Sequence, residues 1–325
     1  MQRDYIHTDK NNYKLHIVAL APDLPKRIIL IPPLVGARGV LEIRTFRYLL
    51  REGCNLMSFD YAGHYSGLNK KFTLESTFKD TEVALTHALE YAHETNLPLH
   101  VIGACFGLIP LLFSLNKLGW PRQVRSMFSV NGLLGINDLL NFDGYKLYLA
   151  KKGLIFDTKL EFINYMVSNK ETFFRDKEKI IDAMTEYLLE LFPELKNIIS
   201  SDRFGALEYS RAEFHKTFYE FMITELPRII IPEDFPCLFF LGTDDTTFNF
   251  QTSNKKVSYL KKIKEMASHA KILNIRIDHF GRGKDHYVIG KEGIKFIIKN
   301  DFKKNTIGFD NDRYVNLRKS ELHEH

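Results

Sequence analysis

From residue 27 to about residue 135 the chain alternates short, wholly apolar runs with longer stretches of helical period. Arg27-Ile28-Ile29-Leu30-Ile31 reads as a strand stopped by Pro32-Pro33, and Cys54-Asn55-Leu56-Met57-Ser58-Phe59 as the next. Leu99-His100-Val101-Ile102 and Val124 to Val130 read the same way. Leu41 to Arg51, Ser76 to Glu94 and the segment after Cys105 read as helices, the second on the spacing of Phe78, Val83, Leu85 and Leu89. Strands apolar on both faces and separated by helices predict a parallel sheet covered on each side.

Beyond residue 136 the strand signals thin out. Helical segments rich in Tyr, Phe, Leu and Glu take over; the clearest period runs from Asp176 to Asn197, with Ile180, Ile181, Met184, Leu188, Leu191 and Phe192 on one side. After Pro227, Pro232 and Pro236 the alternation resumes with a strand over Cys237-Leu238-Phe239-Phe240-Leu241. A helix over Val257 to His269, a strand over Lys271 to Ile277 and a last helix near Gly290 to Asn300 follow. The expected layout is an α/β core of residues 1–136 and 233–304, interrupted by a helical cap over 137–232. A polar tail, 305–325, is expected to be loosely ordered.

One strand-to-helix junction stands out chemically. Gly103-Ala104-Cys105-Phe106-Gly107 places a cysteine at the apex of a turn with glycines two residues before and two after. Such flanks let the apex residue take a strained conformation while its side chain projects above the sheet edge. The apex also lies at a helix N-terminus, where backbone N–H groups favour a thiolate. A nucleophilic thiol needs a base, and the base an orienting acid. Gly242-Thr243-Asp244-Asp245 supplies two carboxylates after the strand at 237–241, and Asp278-His279 through Asp285-His286 supplies histidines after the next. Asp245 is the expected orienter, with Asp244 the alternative. His286 is the expected base because it precedes the final helix, with His279 the alternative. The Phe106 amide is expected to donate to an oxyanion. Cys54 and Cys237 fall within strands and read as packing, and His87, His93, His100 and His269 show no ligand pattern.

Composition narrows the setting. The 325 residues include 45% hydrophobic and 26% charged positions, enough for a large core. The 26 Phe and 15 Tyr suit an apolar pocket as well as a core. Net charge is +5 without a basic block, which argues against nucleic-acid binding. No apolar run reaches the roughly 18–20 residues that span a bilayer, the first residues lack a secretory signal's apolar segment, and three cysteines make no disulfide framework. A cytoplasmic protein without metal or cofactor is expected.

Together these motifs resemble the α/β-hydrolase superfamily. Phe59-Asp60-Tyr61-Ala62-Gly63-His64-Tyr65-Ser66-Gly67 is similar to its Asp-x-x-Gly-His-Gly-x-Ser loop, with Tyr65 where Gly is usual, and the Cys, Asp, His order is that of its triad. The resemblance covers about residues 12–302. It implies a second oxyanion donor at Leu34 or Val35, since Pro32 and Pro33 have no N–H, and it makes His64 a loop marker. Cysteine at the elbow resembles polyhydroxyalkanoate synthases and dienelactone hydrolases; the double proline resembles the synthases, although Leu108 stands where they carry a second Gly. Size and layout also resemble the serine-dependent acyl-transferases that supply luminous bacteria with fatty acids.

The expected activity is acyl transfer through a cysteine thioester. The acyl group, apolar by the aromatic cap, would come from a coenzyme A or acyl-carrier-protein thioester. Exchange of one thioester for another is nearly energy-neutral, and a cap that excludes water favours transfer over hydrolysis. A thioesterase or ester or lactone hydrolase with the same triad is the alternative. A non-catalytic binding protein on the same fold is the third reading.

Overall fold

Strands β3 (Arg27–Leu30), β4 (Cys54–Phe59) and β7 (Cys237–Gly242) are buried at every position, the burial that two-sided apolar runs demand. In the computed structural model, which describes residues 2–34, 38–64, 71–134, 142–168, parts of 175–190, 228–245, 253–278 and 281–301, they join β1 (Gln2–Thr8), β2 (Lys14–Leu20), β5 (Leu99–Ala104), β6 (Val124–Val130) and β8 (Lys271–Ile275). The strand order is β1-β2-β4-β3-β5-β6-β7-β8. β1 runs antiparallel to β2 and β2 antiparallel to β4; every other pairing is parallel.

Helices cover both faces. α1 (Gly39–Thr45) and the final helix, labelled α7 here (His286–Asp301), pack over Ile29, Ile31, Ile102, Phe128 and Phe240. α2 (Leu74–Thr95) and α3 (Leu108–Lys117) cover the other face with Ile28, Leu30, Val101 and Phe239. α2 starts at a capping box in which Thr73 and Ser76 satisfy each other's amides, and ends at Asn96 in a left-handed conformation. Between β6 and β7 lie α4 (Phe142–Lys151), α5 (Lys159–Ser168) and further helical residues within 175–190. Tyr145, Phe156, Phe162 and Tyr187 form an aromatic cluster there. α6 (Ser253–Met266) links β7 to β8.

The structure adds to and redraws the expected elements. The β1–β2 hairpin was not legible, because its exposed outer strand shows no apolar run. The expected helix over 41–51 is two pieces, α1 and a 3-10 turn over Arg47–Glu52 that Gly53 closes at φ 77°. β8 stops at Ile275 rather than Ile277, and the last helix opens four residues earlier than Gly290. The tail 305–325 lies outside the described residues, as does most of the second half of the expected 137–232 insertion. Among the described residues no helix is long and apolar enough to cross a membrane.

At the amino end of the parallel strands a buried polar cluster is closed on itself. Asp301, the last residue of α7, accepts from Arg27 Nη2 at 2.7 Å and from His100 Nε2 at 2.9 Å. His100 Nδ1 lies 2.8 Å from Ser126 Oγ, and Arg27 Nη1 donates to the Glu52 carbonyl. Burial pushes the Asp301 carboxyl up, but the hydrogen bonds from His100 and Arg27 outweigh it and hold the group below its ordinary value. His100 is moved down by burial, against the pull of Asp301. A neutral His100 donating to Asp301 and accepting from Ser126 satisfies all three side chains.

Candidate active site

The opposite, carboxyl end of the sheet carries Cys105. β5 ends at Ala104, Cys105 takes φ 43°, and a 3-10 turn over Cys105–Gly107 feeds α3. A non-glycine residue at positive φ is held there only by its surroundings. Here the surroundings are close. A Cβ at Gly103 would fall 2.5 Å from the Leu108 side chain and 3.0 Å from its Cα; one at Gly107 would fall 2.6 Å from the Pro32 carbonyl oxygen. The double-proline turn after β3 therefore abuts the elbow. The Leu133 amide also donates to the Cys105 carbonyl at 2.8 Å.

The three thiols differ in setting. Cys54 and Cys237 are buried, and burial, the leading cause in each, pushes their thiols up to about 11 and about 12. Cys105 is partly exposed.

Asp245 lies beyond β7, two strands from β5 and thus about 10 Å across the sheet. It is fully buried. Asp244 beside it is exposed, and its carboxylate accepts from Thr243 Oγ1 at 3.2 Å. The turn is anchored by amides of Thr243 and Asp244 donating to the carbonyls of Ile275 and Ile277.

His286 is the first residue of α7 and is exposed; its Nδ1 lies 3.0 Å from the Gly283 carbonyl oxygen. The alternative, His279, lies outside the described residues. Its predecessor in the chain, Asp278, is tied to the sheet edge by Asn131, which was not singled out from sequence. Asn131 is fully buried at φ 46°, donates from Nδ2 to the Asp278 carbonyl at 2.7 Å and accepts the Gly242 amide at 2.7 Å. The legible signal was an Asn directly after a strand, where a left-handed residue is tolerated.

The expected oxyanion donors also separate. Phe106, buried, follows the apex directly. The Leu34 amide, however, donates to Glu42 Oε1 at 3.2 Å. Glu42 is buried in α1, and burial, only partly offset by that bond, pushes its carboxyl up to about 7. The Leu34 N–H therefore already has a side-chain acceptor, which a substrate oxygen would have to replace. Val35 lies outside the described residues.

His64 is buried, with Nδ1 3.2 Å from the Ala62 carbonyl, and burial lowers it to about 4. Its loop is pinned by Asp60, which accepts the Gly39 amide at 2.7 Å, and by Asp80, which accepts the Ala62 amide at 2.6 Å. A hollow of about 210 Å³ lined by Gln2, Val18, Val40, Ile43, Arg47 and other residues includes neither Cys105 nor Asp245.

No protein-family model and no curated protein matches the chain. Solved structures do. A thermostable carboxyl esterase from Bacillus coagulans superposes with a TM-score of 0.58 at 14% identity, over 93% of this chain and 99% of that one. A hypothetical protein from Pseudomonas aeruginosa gives 0.61 at 11% identity, over 92% and 94%. An esterase from Pyrococcus furiosus gives 0.54 at 14% identity, over 93% and 92%. With its eight-stranded, mostly parallel sheet, the order of its strands and these likenesses, the chain has the α/β-hydrolase fold.

Proposed function

We propose that the protein is an ester or thioester hydrolase that works through an acyl-cysteine at Cys105. The observation that carries this reading is the apex itself: a cysteine held at φ 43° between a buried strand and a helix, at the sheet edge where open α/β sheets collect their chemistry. Esterases among the similar folds support hydrolysis over the transfer expected from sequence.

In this reading the Cys105 sulfur attacks the acyl carbonyl and the base takes the thiol proton. The carbonyl oxygen becomes an oxyanion facing the Phe106 N–H. The carbon–oxygen or carbon–sulfur bond to the leaving group then breaks, and the base returns its proton to that group. Water attacks the thioester next, giving its proton to the base and releasing the carboxylic acid and the free thiol. Asp245, buried beyond β7, is the orienting acid.

The base comes from the segment that runs from the end of β8 into the first turn of α7. His286 must release the Gly283 carbonyl to present Nδ1 to a carboxylate, whereas His279 follows the residue that Asn131 anchors. Acyl transfer is the second reading. Cysteine favours it, because a thioester reacts far faster with amines and thiols than with water. Coenzyme A and acyl-carrier-protein thioesters are the donors to try.

The test is intact-mass spectrometry after exposure to nitrophenyl esters and acyl-coenzyme A of several lengths. A single acyl adduct on the wild type, absent from Cys105→Ala and discharged by water, is expected. Discharge only by an added amine, alcohol or thiol turns the assignment to transfer, and absence of any adduct or turnover overturns both. Parallel His279→Ala and His286→Ala proteins identify the base as the one whose loss removes turnover.

A further inference from the structure

The β1–β2 hairpin lies along α2, far in sequence from the elbow. Its turn is fastened to the helix by Tyr13 Oη, which donates to Asp80 at 2.7 Å, and by Lys79 beside Asp9. Farther along β1 the fastening changes character. Strand alternation puts Tyr5 and His7 on the half-buried face of β1, and helical spacing puts His87 and Glu90 three apart on one side of α2. The His7 and His87 rings lie 4.1 Å apart between centroids, and Tyr5 Oη sits 2.9 Å from His87 Nε2.

We propose that His7, His87 and Glu90 form a zinc-type divalent metal site that staples the edge strand to α2. One ligand atom from each residue lies within 4.8 Å of the other two. Zinc takes imidazole nitrogen at about 2.0–2.1 Å and carboxylate oxygen at about 2.0–2.2 Å, so closure asks for about an ångström of side-chain movement. Glu90 is exposed and has the freedom to supply it. Two imidazoles with one carboxylate suit zinc, nickel or copper and not magnesium or calcium. Three protein ligands leave the fourth position to water.

The surroundings support this donor set. Tyr5 fixes the His87 ring's orientation from outside, as outer partners do for ligating histidines. β1 gains from such a staple because it is an edge strand, paired among the described residues with β2 alone.

The experiment uses the full chain without an affinity tag, stripped with a chelator, in wild-type and Cys105→Ser forms so that the elbow thiolate contributes nothing. Zinc chloride is titrated by calorimetry, with magnesium chloride as the control. One equivalent of zinc is expected in both forms, with no response to magnesium. His7→Gln and His87→Gln should each weaken binding about tenfold or more, and zinc should raise the melting temperature of the wild type but not of the protein carrying both His7→Gln and His87→Gln. Glu90→Lys is the variant that keeps the fold, since the position is exposed, and it sets an ammonium where a ligand stood; it should lose the zinc response. Cobalt bound in place of zinc should show the strong visible absorption of a four-coordinate site. Zinc binding unchanged in Glu90→Lys and in the histidine variants, or no saturable binding by the wild type, overturns the proposal.

Discussion

The two ends of the parallel strands are built to opposite specifications. At the amino end Arg27, His100, Ser126, Glu52 and Asp301 satisfy one another without positive-φ backbone at any of those residues. At the carboxyl end Cys105 and Asn131 are both left-handed, glycines leave no room for a Cβ, and Glu42 is buried with a carboxyl moved toward neutrality. Left-handed residues also precede β4, β5 and β6, at Gly53, Asn96 and Trp120, but those close turns into strands, whereas at the carboxyl end the left-handed residue is the candidate nucleophile. Under the proposed function, stability and reactivity fall at separate edges of one sheet, so mutations should separate them too.

The sharpest break is expected at the elbow. Cys105→Ala should lower kcat/KM by at least about 10³-fold, while calorimetry finds a melting temperature no lower than that of the wild type. A comparable loss of stability would place Cys105 among the packing residues instead.

Asp301→Ala should do the reverse. Removing one member of a buried charged cluster leaves its partners unpaired and costs about 3–5 kcal/mol, read from urea unfolding. The activity of the fraction that remains folded should stay within about threefold of the wild type.

Glu42→Gln tests the carboxyl end by pH. A carboxyl raised from the unfolded range to about 7 keeps its proton in the folded state longer than in the unfolded one. Wild-type stability should therefore fall as pH rises from about 4.5 to about 7, by roughly 3 kcal/mol in all. The variant should lack that slope and be the more stable protein at pH 8. Equal slopes in the two proteins would show that Glu42 does not titrate there.

Asn131→Ala should cost about 1–3 kcal/mol of stability for two buried hydrogen bonds. A disproportionate loss of kcat, with KM little changed, is expected from steady-state kinetics if the Asp278 segment carries the base.

The amino-end strands and the elbow were legible for physical reasons. β3, β4, β6 and β7 are buried on both faces, so their runs announce themselves, and the glycines at 103 and 107 report a steric need that the close approaches to Leu108 and Pro32 explain. Other features were illegible because they arise only on folding. Glu42 is an ordinary acidic residue until burial and the Leu34 amide define it. The start of α7 at His286 has no apolar period ahead of it. His7 and His87 are eighty positions apart, and nothing local in either segment foretells that their rings meet.

The unequal exposure of the three thiols has a practical corollary. A gentle alkylating reagent should mark one cysteine per native molecule and three per unfolded molecule. The ratio of modification at Cys54 and Cys237 to that at Cys105 is then an internal gauge of how often the whole chain opens, available in crude samples and without any added probe.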